Sequence, residues 1–311
     1  MVLRRSLSAL LLAGLALTAE GEILGGSFPG IDFGDTEKSV RAALKSACTK
    51  LSTVAVEPPS LPIAETSESH LVCLGYQSQG VELGEVAFTF ADDGLALIEA
   101  RRGAIESLLP KAGEHNASLG GYDAYLSTWT VAHADEDAVW ALTEAAARSY
   151  LFLWRNPDLP SNPEPRSSHR PSIAAPKILE FGADLETMTE RLSAACQGIS
   201  TEEIAEPWLP SKPRRQTQIN CFGHRFAGYP RKIEAVFGDG RLELAWILTG
   251  KGEEDRIRQA LIAAHGPAEI VSQNYEAFAG GRIALRKDKP EVLLLSEPLV
   301  PLYQATFAGD D

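Results

Sequence analysis

Two short stretches with one shared pattern, "HLVCLGY" (His70–Tyr76) and "QINCFGH" (Gln218–His224), decide how this chain folds. Each is a β-like run with a cysteine in the middle and a glycine two residues later. Each cysteine follows an earlier one, Cys48 or Cys196, by the same interval of 25 residues. Because so specific an interval recurs, the sequence predicts a domain that was copied together with its cysteine pair.

The two copies align over most of the 311-residue chain. Copy one, from Ile31 to Arg155, aligns with copy two, from Lys177 to Phe307, at an offset of 148 residues as far as the cysteine runs. The offset is 147 at the next turn and 153 from Leu108 and Leu261 onward. Matches that recur in order along this length indicate a tandem duplication.

Between the copies lies "NPDLPSNPEPRSSHRPSIAAP", residues 156–176, with six prolines and almost no apolar pattern. Proline favours extended backbone, so this segment is predicted to be a semi-rigid linker. The expected domains are therefore a signal peptide at 1–21, a first α+β repeat at 22–155, the linker at 156–176 and a second α+β repeat at 177–311.

Each copy carries the same series of predicted elements. Apolar residues three and four apart indicate a first amphipathic helix, with Val40 and Leu44 in copy one and Met188 and Leu192 in copy two. A proline-bearing loop, the cysteine strand, a hairpin with an Asp-Gly turn, a second helix and a final hairpin follow. The predicted fold class is α+β: a tandem duplication in which each copy is an antiparallel sheet with two helices on one face and one disulfide.

The four cysteines permit three pairings. The duplicated spacing selects pairing within each copy, so we expect disulfides Cys48–Cys73 and Cys196–Cys221. A disulfide that closes a loop of this length is expected to stabilise the fold by roughly 3–4 kcal/mol.

The first residues have the layout of a secretory signal peptide. Arg4 and Arg5 precede an uncharged apolar run, Leu7–Leu17, which is too short to span a membrane, and small residues follow it. We therefore expect an exported protein, periplasmic or secreted, that is not membrane-spanning after processing. An oxidising compartment also suits the two expected disulfides.

The formal net charge of −13 and the sequence pI of about 5.0 make the chain strongly acidic. An acidic protein repels phosphates at long range, so nucleic acid and anionic membrane surfaces are not expected partners. A local basic patch remains able to bind an anion.

The order of a helix, a cysteine staple and an antiparallel sheet in an exported chain resembles the BamE/SmpA-like and β-lactamase-inhibitor-like modules. That resemblance implies binding to proteins of the bacterial cell envelope. It covers the helix-then-sheet order, and no motif of those families transfers to individual residues of this chain. Architecture of this kind does not by itself assign a function.

The sequence contains no recognisable motif for catalysis, metal binding or cofactor binding. The six histidines show no HxH or HExxH spacing, and neither GxSxG nor a glycine-rich phosphate loop occurs. The acidic run from Asp135 to Asp137 falls where a turn is expected, which indicates a solvated turn. We therefore predict no cofactor, no metal site and no catalytic residue, while distant residues remain able to assemble a site on folding.

The sequence leaves two interpretations open for a pair of glutamates and for one tryptophan. Glu144 and Glu297 recur inside apolar runs predicted to be strands, where they either face solvent or share a structural salt bridge. Trp129 lies in "YDAYLSTWTVAH", either on a sheet face packed against helices or on an exposed aromatic binding face.

Basic residues specific to copy two give the candidate binding site. The site consists of four residues around its cysteine strand, Lys212, Arg214, Arg215 and Arg225. Copy one has neutral residues such as Thr66 and Ser67 at matched positions. The four are either solvated loop charges or a patch for an anionic ligand or acidic partner, since arginine binds carboxylate and phosphate with two hydrogen bonds.

These patterns favour an exported, soluble binding or protein-interaction protein of the cell envelope, whose partner is an envelope protein or an anionic small ligand. One alternative is a periplasmic enzyme, hydrolase-like, with a site assembled between the two repeats. Another is a structural subunit of an envelope complex. A concave pocket with convergent polar groups would favour the enzyme, and an exposed apolar patch would favour an interaction protein.

Overall fold

A computed structural model describes residues 23–162 and 164–309 of the chain. The expected signal peptide at 1–21 lies outside these residues. The chain forms two antiparallel sheets of eight strands, one in each copy, and each sheet carries one disulfide. The tandem arrangement and the antiparallel sheets are thereby confirmed.

Copy one begins with helix α1 (Glu37–Ala43), which Thr36 caps through its side-chain oxygen. Four long strands follow as a meander: β1 (Cys48–Val56), β2 (Glu68–Ser78), β3 (Val81–Ala91) and β4 (Gly94–Arg101). Helix α2 (Ala104–Leu108) leads to four short strands, β5 (Ala117–Leu119), β6 (Tyr122–Tyr125), β7 (Thr130–His133) and β8 (Ala138–Leu142), and helix α3 (Glu144–Arg148) comes last.

Copy two repeats this series. Helix α4 (Leu185–Ala195) precedes the long strands β9 (Gly198–Ile204), β10 (Gln216–Phe226), β11 (Tyr229–Gly238) and β12 (Arg241–Leu248). Helix α5 (Glu254–His265) leads to the short strands β13 (Ile270–Val271), β14 (Tyr275–Phe278), β15 (Ile283–Arg286) and β16 (Glu291–Leu295). Helix α6 (Val300–Ala308) ends the copy.

The strand order is the same in both sheets. It is β1-β2-β3-β4-β8-β7-β6-β5 in the first and β9-β10-β11-β12-β16-β15-β14-β13 in the second. Ala124 pairs with Val131 in copy one, and Ala277 pairs with Ala284 in copy two. This shared register shows that the offset of 153 residues relates equivalent positions in space.

Both expected disulfides are confirmed. Cys48–Cys73 and Cys196–Cys221 have Cα atoms 5.5 and 5.6 Å apart, within the usual range. Cys73 and Cys221 are fully buried on the second strand of their sheets. Each disulfide therefore ties the chain just after the first helix to the core of its sheet.

Apolar side chains pack on both faces of the first sheet. Val139 and Ala141 of β8 belong to the cluster that includes residues of α1 and α2. Trp140 and Leu142 belong to a second cluster, which includes Ala146 of α3. Because successive residues of a strand point to opposite faces, α3 covers the face that α1 and α2 leave open.

The expectation of two helices in each copy is wrong, since the described residues of each copy form three. The region after the first helix, expected to be a loop, begins with a strand (β1 or β9), and the expected final hairpin is a meander of four short strands. These segments pair with neighbouring strands, for example β1 with β2 and β9 with β10, and this pairing outweighs their weak local pattern.

The two glutamates expected inside strands begin helical segments instead. Thr143 caps α3 through its side chain, and Glu144 is the first helical residue. Glu144 is exposed and pairs with Arg148 one turn later. Glu297 begins the short helical turn that leads into α6. The apolar residues before them belong to the strands, and the capping position ends each strand.

The proline-rich linker packs against the protein. Asn156 is fully buried, and its side-chain nitrogen lies 3.0 Å from His70 Nδ1 and 3.2 Å from Thr89 Oγ1. Leu159 packs on strands β2 and β3, and Ile173 belongs to the core of copy two. The linker is thus a strap over the first sheet, which fixes how the chain enters the second copy.

Candidate functional site

A pocket lies at the junction of the two copies, and we call it the junction pocket. Strands β5 to β7, helix α3 and the turn after it supply the lining from copy one. The start of β9, the residue before it and β10 supply the lining from copy two. The pocket volume is about 330 Å³, at the lower end of the range for small-molecule sites.

Aromatic and aliphatic side chains form most of the lining. Five rings contribute: Tyr122, Trp129, Tyr150, Phe152 and Phe222. The rings of Tyr150 and Phe222 have centroids 5.8 Å apart and belong to different copies. The aromatic lining is therefore continuous across the junction.

Small side chains and an early helix end keep the junction pocket open. Ala117 and Ala147 line it, whereas copy two has Ile270 and Val300 at the equivalent positions. Helix α3 has five residues. Tyr150 then adopts a left-handed conformation, with φ of 56°, and the chain leaves the helical path.

The same place in copy two is filled by the chain itself. Helix α6 has nine residues and carries Phe307, which is fully buried. The ring of Phe307 lies 5.4 Å from that of Tyr275. Phe307 also packs in one cluster with Ala277 and Ala284. The equivalents of these two alanines in copy one line the junction pocket: Ala124 and Val131.

Phe152 partly replaces Phe307 in copy one. Its ring lies 5.8 Å from Tyr122 and 6.0 Å from Tyr150. It comes from the turn after α3 and remains partly exposed, whereas Phe307 is not exposed at all. The open volume of the junction pocket lies beside this ring.

Hydrogen bonds separate the junction pocket from a neighbouring polar cavity. The Tyr122 hydroxyl donates to Gln197 Oε1 at 2.6 Å, and Arg155 Nη2 donates to the same hydroxyl at 2.6 Å. Tyr122, Gln197 and Leu153 line both spaces. The two spaces are therefore adjacent, and Tyr122 borders both.

The polar cavity, of about 340 Å³, contains His133, Glu136 and Arg155. His133 Nε2 and Glu136 Oε1 are 3.9 Å apart, too far for a hydrogen bond. Glu136 pairs with Arg155 at 2.8 Å. Burial opposes ionisation of Glu136, but the hydrogen bond and charge of Arg155 outweigh it and lower its pKa. Glu136 is thus a charge-paired carboxylate, poorly suited to act as a general base.

A buried polar cluster under the linker has a structural role. His70 Nε2 lies 2.9 Å from Glu68 Oε1, and Glu99 accepts hydrogen bonds from Arg101 Nε and the backbone N–H of Asn156. Burial raises the pKa of Glu99, although the charge of Arg101 opposes this rise. These groups are enclosed and satisfy one another, so they hold the linker in place.

A second buried contact joins the copies. Tyr229 of copy two places its hydroxyl 3.1 Å from Ser60 Oγ of copy one, and its ring lies 6.0 Å from that of Trp154. Next to it, Arg231 and Glu253 form an ion pair at 2.6 Å, and both side chains are buried. The junction is therefore a packed interface, which gives the junction pocket a defined shape.

The structure does not bring the four basic candidate residues together. Arg215 precedes the first residue of β10, and Arg225 lies near its last, so about 30 Å of extended strand separates them. Arg215 pairs with Glu203, and Arg225 pairs with Glu164. Lys212 and Arg214 are exposed in the loop before β10. Their role in binding stays a prediction, without a shared site to support it.

Trp129 stands in a left-handed turn between β6 and β7, with φ of 47°. It is partly buried, packs against the cluster that contains Trp140 of the sheet and Ala146 of α3, and lines the junction pocket. The acidic run forms a short helical turn, and Asp137 accepts hydrogen bonds from the backbone at the start of α2. Asp137 is therefore a local anchor for that helix.

Sequence reasoning did not identify most residues of the junction pocket, among them Tyr122, Tyr150, Gln197 and Phe222. A signal was present in the alignment of the copies, because Ala117 and Ala147 oppose larger aliphatic residues in copy two. Such differences in side-chain volume mark places where one copy leaves space that the other fills.

Within residues 23–162 and 164–309, no group of three or more histidine, cysteine or acidic side chains is arranged to hold a metal ion. None of the helices in this part of the chain is long and apolar enough to cross a membrane. The sequence matches no protein-family model, and no curated protein is significantly similar to it.

Proposed function

We propose that this protein binds a small, mainly apolar molecule in the junction pocket. The observation that carries the proposal is the contrast between equivalent places in the two copies. Copy two fills its place with the buried ring of Phe307, and copy one leaves a volume of about 330 Å³ lined by aromatic side chains. An apolar ligand would gain the burial that Phe307 gains in copy two.

The position of the pocket supports this function. Concave, mostly apolar clefts between domains are the usual place of small-molecule sites. Gln197 and Phe222 of copy two complete a lining that copy one begins. The duplicated chain, rather than one copy, thus forms the site, which gives the duplication a function.

The polar groups beside the junction pocket fit a binding function better than a hydrolytic one. Glu136 is paired with Arg155, and His133 is not hydrogen-bonded to it. A hydrolase needs a base that is free to accept a proton, from a side-chain nucleophile or from water. The polar groups here instead orient Tyr122 and Gln197 at the edge of the apolar space.

Export to the periplasm or the medium is part of the proposal. Two disulfides, one in each sheet, are compatible with such a location. Fractionation of the producing cells would test this part separately. We expect the mature protein outside the cytoplasm, with all four thiols oxidised.

Isothermal titration calorimetry with phenylacetamide, a small neutral probe, tests the binding function. The filling variant Ala117→Ile/Ala147→Val gives copy one the larger aliphatic residues that copy two has at the equivalent positions, Ile270 and Val300. We expect the wild-type protein to bind the probe at one site and the filling variant to lose at least about tenfold in affinity, since overfilling a pocket excludes its ligand.

The control variant is Leu302→Ala, which removes an exposed apolar side chain in copy two, away from the junction pocket. It should bind the probe as the wild type does. Equal affinity of the filling variant and the wild type, with both folded, would contradict the proposed site.

A further inference from the structure

The charge of the junction pocket is set by one side chain. Among the described residues that line the pocket, Arg148 is the single charged one. It is the last residue of α3 and stands at the exposed side of the lining. In copy two, whose equivalent space is filled, the matching residue is Pro301. A cation thus occurs in the copy that leaves space for a ligand.

Arg148 forms an exposed ion pair that a ligand can replace. Its guanidinium pairs with Glu144 at 2.7 Å, one helical turn earlier, and the two side chains are 71% and 56% exposed. Exposed pairs of this kind contribute little to stability, because water screens both charges. A carboxylate on a ligand that is already bound through its apolar body can therefore compete with Glu144 for the guanidinium.

A second hydrogen-bond donor lies close to Arg148 in the lining. Burial, together with the charge of Glu234, raises the pKa of Tyr150 to about 12. The Tyr150 hydroxyl therefore keeps its proton at neutral pH and remains a donor. Arg148 and Tyr150 are two residues apart, and both contribute to the same pocket.

We propose that the ligand is a small apolar carboxylic acid, bound as its anion, whose carboxylate meets Arg148 at the edge of the junction pocket. This inference rests on the proposed function, and it adds the chemical class of the ligand. The apolar body occupies the aromatic lining, and the carboxylate replaces Glu144 as the partner of Arg148.

The surrounding charges favour a single negative charge on the ligand. Glu144 pairs with the arginine, and Glu234, which pairs with Lys232, is near Tyr150. The whole chain has a formal net charge of −13. A dianion such as a phosphate monoester would meet more repulsion than a carboxylate while finding one guanidinium to pair with. The site therefore selects a monoanion.

The test compares phenylacetate with phenylacetamide, which has nearly the same shape and no charge. Calorimetry gives the affinity ratio of the two probes for the wild type and three variants. We expect the wild-type protein to favour phenylacetate by about fivefold, the value of a good exposed ion pair. This preference should fall as the salt concentration rises.

The variants separate charge from packing. Arg148→Gln should bring the ratio close to one, and Arg148→Lys should restore part of the preference. Glu144→Gln leaves Arg148 without its competitor, so this variant should increase the ratio above that of the wild type. A positioning or packing role of Arg148 would change both affinities together and would not respond to Glu144→Gln.

Three results would overturn the inference. One is an equal affinity of the wild type for both probes. Another is a ratio that Arg148→Gln and Glu144→Gln leave unchanged. In both cases phenylacetamide still binds, and the proposed binding function stands without the acid. If neither probe binds, the proposed function and the inference fail together.

Discussion

The two copies differ at one equivalent region of their sheets, which is filled by a buried side chain in copy two and is an open pocket in copy one. Over β13 and β14, copy two packs its own helix α6, with Phe307 inside. Over β5 and β6, copy one has an open pocket that copy two partly encloses, and its shorter helix α3 packs on β4 and β8. The same sheet thus supports a closed core in one copy and a candidate binding site in the other.

The difference depends on few residues. Ala117 and Ala147 replace larger side chains, and Tyr150 ends the helical path that α6 continues in copy two. The chain after Tyr150 then packs elsewhere, with Trp154 against Tyr229 of copy two. A duplicated domain can therefore gain a cavity by shortening one helix, while the second copy supplies the missing side of the cavity.

The largest expected effect is the loss of unfolding free energy when Phe307 of copy two is truncated. Phe307→Ala removes a fully buried ring, and such substitutions cost about 3–5 kcal/mol of unfolding free energy. Phe152→Ala in copy one should cost less than half of this, because Phe152 is already partly exposed. Urea denaturation of both variants measures the difference.

The same pair of variants also tests the equivalence of the two places. Phe307→Ala should create a second binding site for phenylacetamide, provided that the variant is folded at the temperature of the titration. Equal destabilisation by the two substitutions would show that copy one is as closed as copy two.

The next effect concerns the contact between the copies. Gly120 has φ of 60°, and a Cβ atom there would overlap the carbonyl oxygen of Gln197. Gly120→Ala should therefore cost about 1–2 kcal/mol from the backbone conformation alone and should push the copies apart. Because Gln197 lines the junction pocket, probe binding should weaken strongly, as calorimetry would show.

The equivalent position in copy two provides the control. It is Gln273, which is exposed. Gln273→Ala should change neither stability nor probe binding. If Gly120→Ala also changes neither stability nor probe binding, the close approach of the copies does not matter for the pocket.

A smaller effect is expected on acidification, and it should begin in copy one. Burial opposes ionisation of Glu68 and Glu85, but hydrogen bonds outweigh it and lower the pKa of each. The lowered carboxyl pKa values of copy two belong to exposed Asp184 and Asp288. A carboxyl group with a lowered folded pKa stabilises the fold above its ordinary pKa of about 4.

That stabilisation is lost as the pH falls through the lowered pKa values. Between about pH 4.5 and pH 3, strands β2 and β3 should lose protection before β10 and β11 do. Hydrogen exchange followed by mass spectrometry, corrected for the intrinsic effect of pH, measures this order. Earlier loss of protection in copy two would show that the buried carboxylates of copy one do not control acid stability.

The duplication and the disulfides could be predicted from the sequence because they rest on exact spacing. The interval between Cys48 and Cys73 recurs in copy two, and a repeated interval needs no knowledge of packing. The main hairpins could also be predicted from the sequence. The turn between β3 and β4 uses Asp92 and Asp93, both with positive φ, one residue before the Asp93-Gly94 pair that indicated it.

The candidate site could not be predicted in the same way, since it depends on how the copies meet. Phe222 and Tyr150 belong to different copies and are 72 residues apart in the chain, yet their rings are in contact. The short strands and the strap formed by the linker likewise depend on neighbours. Asn156, in a proline-rich segment with little apolar pattern, is fully buried because His70 and Thr89 offer it hydrogen bonds.

The most direct test of the central claim is to locate a bound probe in one copy or the other. Nuclear Overhauser effects between phenylacetamide and the isotope-labelled protein report which protons lie within about 5 Å of the ligand. We predict contacts from the probe ring to Trp129 and Tyr150 of copy one and to Phe222 of copy two, which all line the junction pocket. Contacts to Tyr275 and Phe307 instead, or to neither place while calorimetry shows binding, would contradict the account.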